Sequence, residues 1–452
     1  MATILITTNC LPGMLYTSVE LARRLSLAGH RVVYVGLPHA REVVERQGLE
    51  FEFVPPSEYL EFIAADSKRG YFDRWRQRET RQRQAIESFH VDPFLETVRR
   101  LSPSLLLVDA ELPEHVLALQ PTGLPVALLN TFVSIWHTPG LPPPNRLAVP
   151  GQGGWRGSSL GAELLWTELR LRKFRRNVRR NLERIGCDRL SLLKRLAREN
   201  QVDFAAFTDD RQWSTPFTFR TLPALSLHGR EFEFPHDPPN HVRYLGPLLL
   251  KDRADPELDP ADQARLAGLF ERRKASQGKR KLIYAAFGSF FTSNRGFLKK
   301  LAGAVAERPD WDLVLSLGGR LDPAELGALP ERVHAFRWLP QLDVLRQADV
   351  AVVHGGINTI DESILNAVPM LAYCGYETDM AGNTSRIVYH QIGLSGDPRS
   401  DDAPTIQARL DRLLNEPIFS DNIRRMQTAY QAYEHDQVAV RTVESLLPSN
   451  AT

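Results

Sequence analysis

Residues 354–369 read HGGINTIDESILNAVP. The four residues before them, VAVV at 350–353, are apolar and mostly β-branched, the composition of a buried strand. The strand therefore ends on a histidine, and two glycines turn the chain into an otherwise apolar helix. Gly355 and Gly356 let backbone approach an anion closely, and the helix behind them offers free N–H groups at its positive dipole end. His354 can donate from its ring to the same anion, and Asn358 and Thr359 add short polar donors. Glu362, about two turns beyond His354, is spaced to accept from ribose hydroxyls. Each residue also has a plainer reading alone: a strand-end polar group, a tight turn, helix caps, a solvated acid. Their joint spacing favours an anion pocket.

Working outward, RWLPQLDVLRQADVAVVHGGINTIDES at 337–363 reads as strand, short helix, strand, glycine turn, helix. Trp338 offers a flat face to a nucleobase, with Gln341 close behind it. Together these residues describe a nucleoside-diphosphate site. Alternation of strand and helix continues across the chain. One set comprises TILITT (3–8), TSVELARRLSLAG (17–29), HRVVYVG (30–36), SLLLVDAELPEHVLAL (104–119) and LPVALLNT (124–131). A second comprises KLIYAAFGS (281–289), DLVLSLGG (312–319), VHAFRW (333–338), VAVVHGG (350–356) and PMLAYC (369–374). Such alternation predicts parallel sheets covered on both faces. The expected fold is α/β, two tandem Rossmann-like doubly wound domains with a cleft between their strand ends. Pro-rich and charged stretches at 232–247 and 251–262 separate the sets. Expected boundaries are 1–235 for the first domain, 236–275 for a linker, 276–420 for the second domain, and 421–452 for a C-terminal helix packing back on the first.

At 452 residues the chain exceeds one comfortable core and suits two domains. With 43% hydrophobic and 24% charged residues it has a soluble globular composition, and a net charge of +2 gives no case for nucleic acid. Cys10, Cys187 and Cys374 are too scattered for a disulfide framework or a metal site. No basic leader precedes the first strand, and no apolar run reaches the ~20 residues of a membrane helix. The expectation is a cytoplasmic protein with no metal and no cofactor.

The 338–383 block resembles the donor-binding signature of family 1 nucleotide-sugar glycosyltransferases of the GT-B fold. Trp338, Pro340, Gln341, Asp349 and His354 match its first part. Asn358, Thr359, Glu362, Val368 and Pro369 continue it, and Asp379 and Asn383 match its end. PG at 12–13, LARRLSLAGHRV at 21–32 and FGS at 287–289 extend the likeness over both halves. The resemblance implies that Trp338 stacks on the base, that Gln341 and Glu362 hold the ribose, and that Asp379 binds sugar hydroxyls. It places His354, Gly356, Asn358, Thr359 and Ser289 at the diphosphate, with His354 and helix amides neutralising it so that no metal is required. The implied reaction is inverting transfer of a sugar from a UDP- or dTDP-sugar to a small lipophilic natural product or lipid. A catalytically weak nucleotide-sugar-binding auxiliary protein is the alternative.

Two departures from the pattern bear on chemistry. Met14, in LPGMLYT (11–17), stands where the family carries its histidine base, while Asp109 matches the aspartate that orients it. Met380 stands where glucosyl-transferring relatives carry Gln, and a thioether cannot donate to a hydroxyl. Three sources of acceptor activation follow: Asp109 directly, His137 in the loop NTFVSIWHTPGLP (130–142), or an acceptor already ionised. Finally, residues 168–200 interleave Arg and Lys with Leu, Phe, Val and Ile at helical spacing. That pattern fits an ordinary helix with a solvated basic face, or one in weak peripheral contact with an anionic membrane. It lacks the aromatic platform of a nucleic-acid binder.

Overall fold

The computed structural model describes residues 1–214, 216–253, 258–287, 294–319, 321–374 and 378–448. Its first sheet comprises β1 (Thr3–Thr7), β2 (Arg31–Gly36), β3 (Glu50–Phe53), β4 (Leu105–Asp109) and β5 (Val126–Asn130). After a two-stranded hairpin of β6 (Thr208–Asp209) and β7 (Thr218–Phe219), β8 (Ala224–Ser226) and β9 (Val242–Tyr244) complete that sheet. Its order is β3-β2-β1-β4-β5-β8-β9, with every pair parallel. The second sheet comprises β10 (Lys281–Ala286), β11 (Trp311–Ser316), β12 (Val333–Phe336), β13 (Val350–Val353), β14 (Met370–Ala372) and β15 (Gly393–Ser395). Its order is β12-β11-β10-β13-β14-β15, again all parallel.

Strand alternation sends neighbouring residues to opposite faces, and each face meets its own helices. Ile4 and Ile6 join one core with Leu21, Leu25 and Val443, whereas Leu5 joins another with Phe94 and Leu193. In the second sheet Leu282 and Tyr284 pack with Ile360 and Ile423, and Ile283 and Ala285 with Leu301 and Leu410. Strand order reverses between β1 and β4 and between β10 and β13, so each sheet has a crevice at those strand ends.

The stretch expected as a linker is structured. It supplies β9 to the first sheet, and its helix Pro260–Ala275 buries Leu266 and Leu269 in the second domain's core. The C-terminal segment divides likewise. Helix Pro417–His435 packs on the second domain through Ile423, Met426 and Tyr430, and helix Val438–Glu444 returns to the first through Ala439 and Val443. The outgoing and returning passages run side by side. Lys251 pairs with Glu434 at 3.5 Å, and the Arg230 amide donates to the Tyr433 hydroxyl at 3.1 Å.

A buried ion pair also joins the domains. The Arg386 guanidinium donates to the Glu233 carboxylate at 2.9 and 2.7 Å, and Glu233 accepts from the Ser134 amide at 2.6 Å. Burial alone would raise the Glu233 pKa, but Arg386, His228 and the Ser134 N–H outweigh it and hold the carboxyl below its usual range. Along the cleft, the Gly382 amide donates to the Pro144 carbonyl at 2.7 Å, and the Ala148 amide to Ser385 Oγ at 2.9 Å.

Candidate active site

β13 delivers His354 to the second crevice, and Gly355 turns the chain at φ +90°, where glycine meets no Cβ clash. A Cβ on Gly355 would lie 2.9 Å from the Met380 carbonyl oxygen, so the turn sits against the start of helix Asp379–Tyr389. The imidazole covers Gly356, where a Cβ would lie 2.6 Å from His354 Nε2. No side chain caps helix Ile357–Leu365. Asn358 and Thr359 are therefore not caps: Asn358 Nδ2 donates to the Gly13 carbonyl across the cleft at 2.8 Å, and Thr359 Oγ1 lies 3.4 Å from Gln341 Nε2. The opening N–H groups of this helix are thus left without a capping side chain, the arrangement that receives phosphate. Burial pushes the His354 pKa below the ordinary histidine value, with the Ala286 backbone opposing it. Burial thus disfavours the charged ring in the free protein, and the ring can still donate a hydrogen bond from its N–H.

Gln341 and Glu362 meet as their spacing suggested. Gln341 accepts from the Tyr284 hydroxyl at 3.1 Å and donates from Nε2 to Glu362 Oε2. Glu362 is buried and also pairs with Arg253 at 3.0 Å, whose guanidinium lies 5.7 Å from the centre of the Tyr16 ring. Trp338 is half-buried beside the turn at Gly319. The neighbouring acid Asp361 points away, accepting from Tyr430 at 3.1 Å. Asp349 is structural, taking the Leu282 amide and Arg273, both at 2.8 Å. Ser289 lies outside the described residues. Arg253 and Tyr284 escaped the sequence reading, because neither carries a local signal of its distant partner.

Across the cleft, Met14 turns inward and packs in the first domain's core, as an apolar thioether should, so it presents nothing where a base would stand. Asp109 ends β4 with no exposed surface, and its two oxygens accept from the Asn9 and Glu111 amides at 3.0 and 2.9 Å. Burial pushes its pKa up to about 7 against those two bonds. Two residues on, Glu111 is exposed and accepts from Asn9 Nδ2 at 2.7 Å. Although the residue as a whole is exposed, protein groups crowding its carboxyl desolvate it and raise its pKa, with Arg189 and Asn9 opposing. Asp379, half-buried at the start of its helix, accepts from Asn383 at 3.3 Å. Desolvation first, and the negative charge of Glu111 among lesser causes, lift its pKa to about 6. Half-buried Met380 follows Asp379. His137 is drawn elsewhere: its Nε2 bonds Glu163 at 2.9 Å, and its ring stands edge-on to Trp166. The sequence marked Asp109 but not Glu111, since an acid in a post-strand loop carries no periodic signal. Among the described residues no group of three or more His, Cys, Asp or Glu is placed to hold a metal ion.

Residues 239–439 match the family described as UDP-glucoronosyl and UDP-glucosyl transferase. The oleandomycin glycosyltransferase of Streptomyces antibioticus is 30% identical over 174 residues, 38% of this chain and 40% of that protein. The demethyllactenocin mycarosyltransferase of Streptomyces fradiae is 28% identical over 209 residues, 46% of this chain and 44% of that protein. The chain thus spans less than half the length of the curated relatives it matches. Among solved structures, the calicheamicin glycosyltransferase CalG4 superposes with a TM-score of 0.68 at 19% identity, covering all of both chains. The glycosyltransferase VinC in complex with dTDP gives 0.61 at 20%, covering 98% of this chain and all of that one. These two likenesses carry the GT-B fold. Residues 239–439 thus resemble the family 1 nucleotide-sugar glycosyltransferases, and the whole chain has the GT-B fold.

Proposed function

We propose that the protein is a metal-independent inverting glycosyltransferase that moves a sugar from a UDP- or dTDP-sugar to a small lipophilic acceptor. The observation that carries this reading is the uncapped helix behind the His-Gly-Gly turn, whose Asn358 reaches the Gly13 carbonyl of the first domain at 2.8 Å. The diphosphate would lie on the opening amides of helix Ile357–Leu365 and accept from His354. Trp338 would cover the base, and Gln341 with Glu362 would take the ribose. Asp379 would receive sugar hydroxyls beside the Met380 thioether, which favours a sugar poor in hydroxyls there.

In the proposed step the acceptor oxygen attacks the anomeric carbon on the face opposite the diphosphate. The carbon–oxygen bond to phosphate breaks, and the nucleoside diphosphate leaves with the bonding electrons, its new charge met by oriented N–H groups. The acceptor proton goes to a carboxylate. Asp109 has both oxygens committed to backbone, so it orders the Asn9 and Glu111 loops. Glu111 is the exposed member, and its raised pKa makes its carboxylate a better proton acceptor.

Release of nucleoside diphosphate from a panel of UDP- and dTDP-sugars with pooled acceptors, in EDTA-dialysed protein, tests this reading. Turnover is expected without added Mg²⁺. His354→Ala should lose about 2–4 kcal/mol of transition-state stabilisation, and Glu111→Gln about 10²-fold in rate with donor binding intact. A strict Mg²⁺ requirement, or unchanged kinetics in His354→Ala, overturns the donor site. Donor binding with no turnover on any pair would favour the auxiliary-protein alternative.

A further inference from the structure

Helix Ser159–Arg184 carries two apolar faces. One, with Gly161, Ala162, Leu165, Trp166 and Leu169, is buried on the first domain, and Trp166 Nε1 donates to the Leu141 carbonyl at 2.8 Å. The other carries Leu160, Leu164, Leu171, Phe174, Val178 and Leu182, which are 43 to 72% exposed. At 3.6 residues per turn these six fall within an arc of about 80°, a continuous row along the helix. The last buried residue of the helix is Lys173, and beyond it the inner side is held by Asn181, which donates to Asp188 at 3.0 Å and to Ser191 at 2.7 Å.

More apolar surface lies at the same end. Tyr71, Phe72 and Trp75, 61 to 81% exposed, sit on the short helix Tyr71–Arg76. That helix is tied to the long one by Arg74, which donates to the Glu183 carbonyl at 3.1 Å. Fully buried Arg81 fixes the junction, holding the Asp66 carboxylate and the carbonyls of Arg74 and Arg184. The exposed row and the three aromatics are thus held in one rigid arrangement. Eight of the fifteen residues from 170 to 184 are Arg or Lys, against a single acid, Glu183. The chain as a whole carries only +2, so this positive charge is local.

We propose that this surface docks the protein on an anionic lipid bilayer. The row of Leu, Phe and Val would enter the boundary between headgroups and acyl chains, with Tyr71, Phe72 and Trp75 beside it. The flanking arginines would meet lipid phosphates. Charge complementarity selects this occupant: a second copy would oppose one arginine-rich face to another, whereas an anionic bilayer is apolar and negative at the same depths. No described helix is long and apolar enough to cross a membrane, so the contact is peripheral. The proposal is independent of the chemistry in the cleft.

Co-sedimentation of the full chain with phosphatidylcholine vesicles, alone or mixed with phosphatidylglycerol, tests it. Partitioning should be at least about tenfold stronger on the anionic vesicles and should fall steeply as salt shortens the Debye length from ~30 Å to ~8 Å. The pair Val178→Asp and Leu182→Asp should lose about tenfold or more, and Arg175→Glu with Arg179→Glu should abolish the anionic preference. Both variants change exposed positions, so their melting temperatures and UDP binding should match the wild type, showing that the fold is kept. Equal binding to neutral and anionic vesicles, no binding to either, or Asp variants that bind like the wild type would overturn the proposal. So would a stable wild-type dimer in sedimentation that the Asp pair converts to monomer, which would assign the surface to a second copy.

Discussion

The substitution Asp109→Asn should make the protein more stable at alkaline pH while impairing it as a catalyst. Asp109 ionises in a fully buried setting, and its pKa stands at about 7 in place of 3.8. A raised carboxyl pKa means that the folded state binds the proton more tightly than the unfolded chain. The stability tied to that proton is complete below about pH 4 and is lost as pH rises through about 7. At ~1.4 kcal/mol per pKa unit, a shift of roughly three units makes the alkaline loss about 4 kcal/mol. The amide side chain of the variant would escape that loss but can accept only one of the two backbone N–H groups, leaving the other unmet at about 1–3 kcal/mol. The net gain at pH 8–9 is then about 2 kcal/mol, or ~4–8 °C in melting temperature for a unit of this size. The advantage should shrink on acidification and reverse at about pH 5, where the cost of keeping wild-type Asp109 from ionising falls to the ~2 kcal/mol of the unmet N–H. Thermal melts of both proteins between pH 4 and 9 would read this directly. A melting difference that does not change with pH would refute the reasoning, because it would show that Asp109 is not held against its ionisation.

Gly382→Ala should drive a methyl group into the Pro144 backbone and loosen the acceptor-side loop; the expected result is an acceptor KM raised about tenfold, near 1.4 kcal/mol, with UDP affinity within twofold by calorimetry. Equal losses for both ligands would count against it. Arg253→Met should leave the buried Glu362 carboxylate without its counter-ion, destabilising by about 3–5 kcal/mol, and saturating UDP or dTDP should restore more of the melting temperature than it adds to wild type. An unchanged nucleotide-induced shift would argue that Glu362 does not face the ribose. Met380→Gln should move donor preference toward hydroxyl-rich sugars by about 1–3 kcal/mol in kcat/KM ratios, and a wild type that already prefers UDP-glucose to every deoxysugar donor would contradict this.

Both sheets were readable in outline because parallel strands buried on two faces leave continuous apolar runs, such as TILIT, LLLVD and VAVV. β6 to β9 were not readable: each has two or three residues, too few to show a period, and Pro-rich loops separate the last two. The turn at 354–356 was legible because glycine at φ +90° reports a backbone need directly. Met14 was placed by its sequence position, but its phase on helix Pro12–Leu27 turns its side chain into the core. The Glu233–Arg386 pair spans 153 positions, and Arg253 and Glu362 are similarly far apart in sequence; such pairings arise only in folding and leave no mark on either segment.

The side-by-side passages between the domains have a mechanical consequence. Two separated struts would resist twisting, whereas adjacent passages form one flexible neck, with the buried Arg386–Glu233 pair as its pivot pin. Away from the neck, bonds to backbone groups that cross the cleft among the described residues include Asn358 to Gly13, Gly382 to Pro144, Ala148 to Ser385 and Ser385 to Arg146. At about 1 kcal/mol net for each, such bonds favour closure by only a few kcal/mol, a difference that a ligand binding in the cleft could offset.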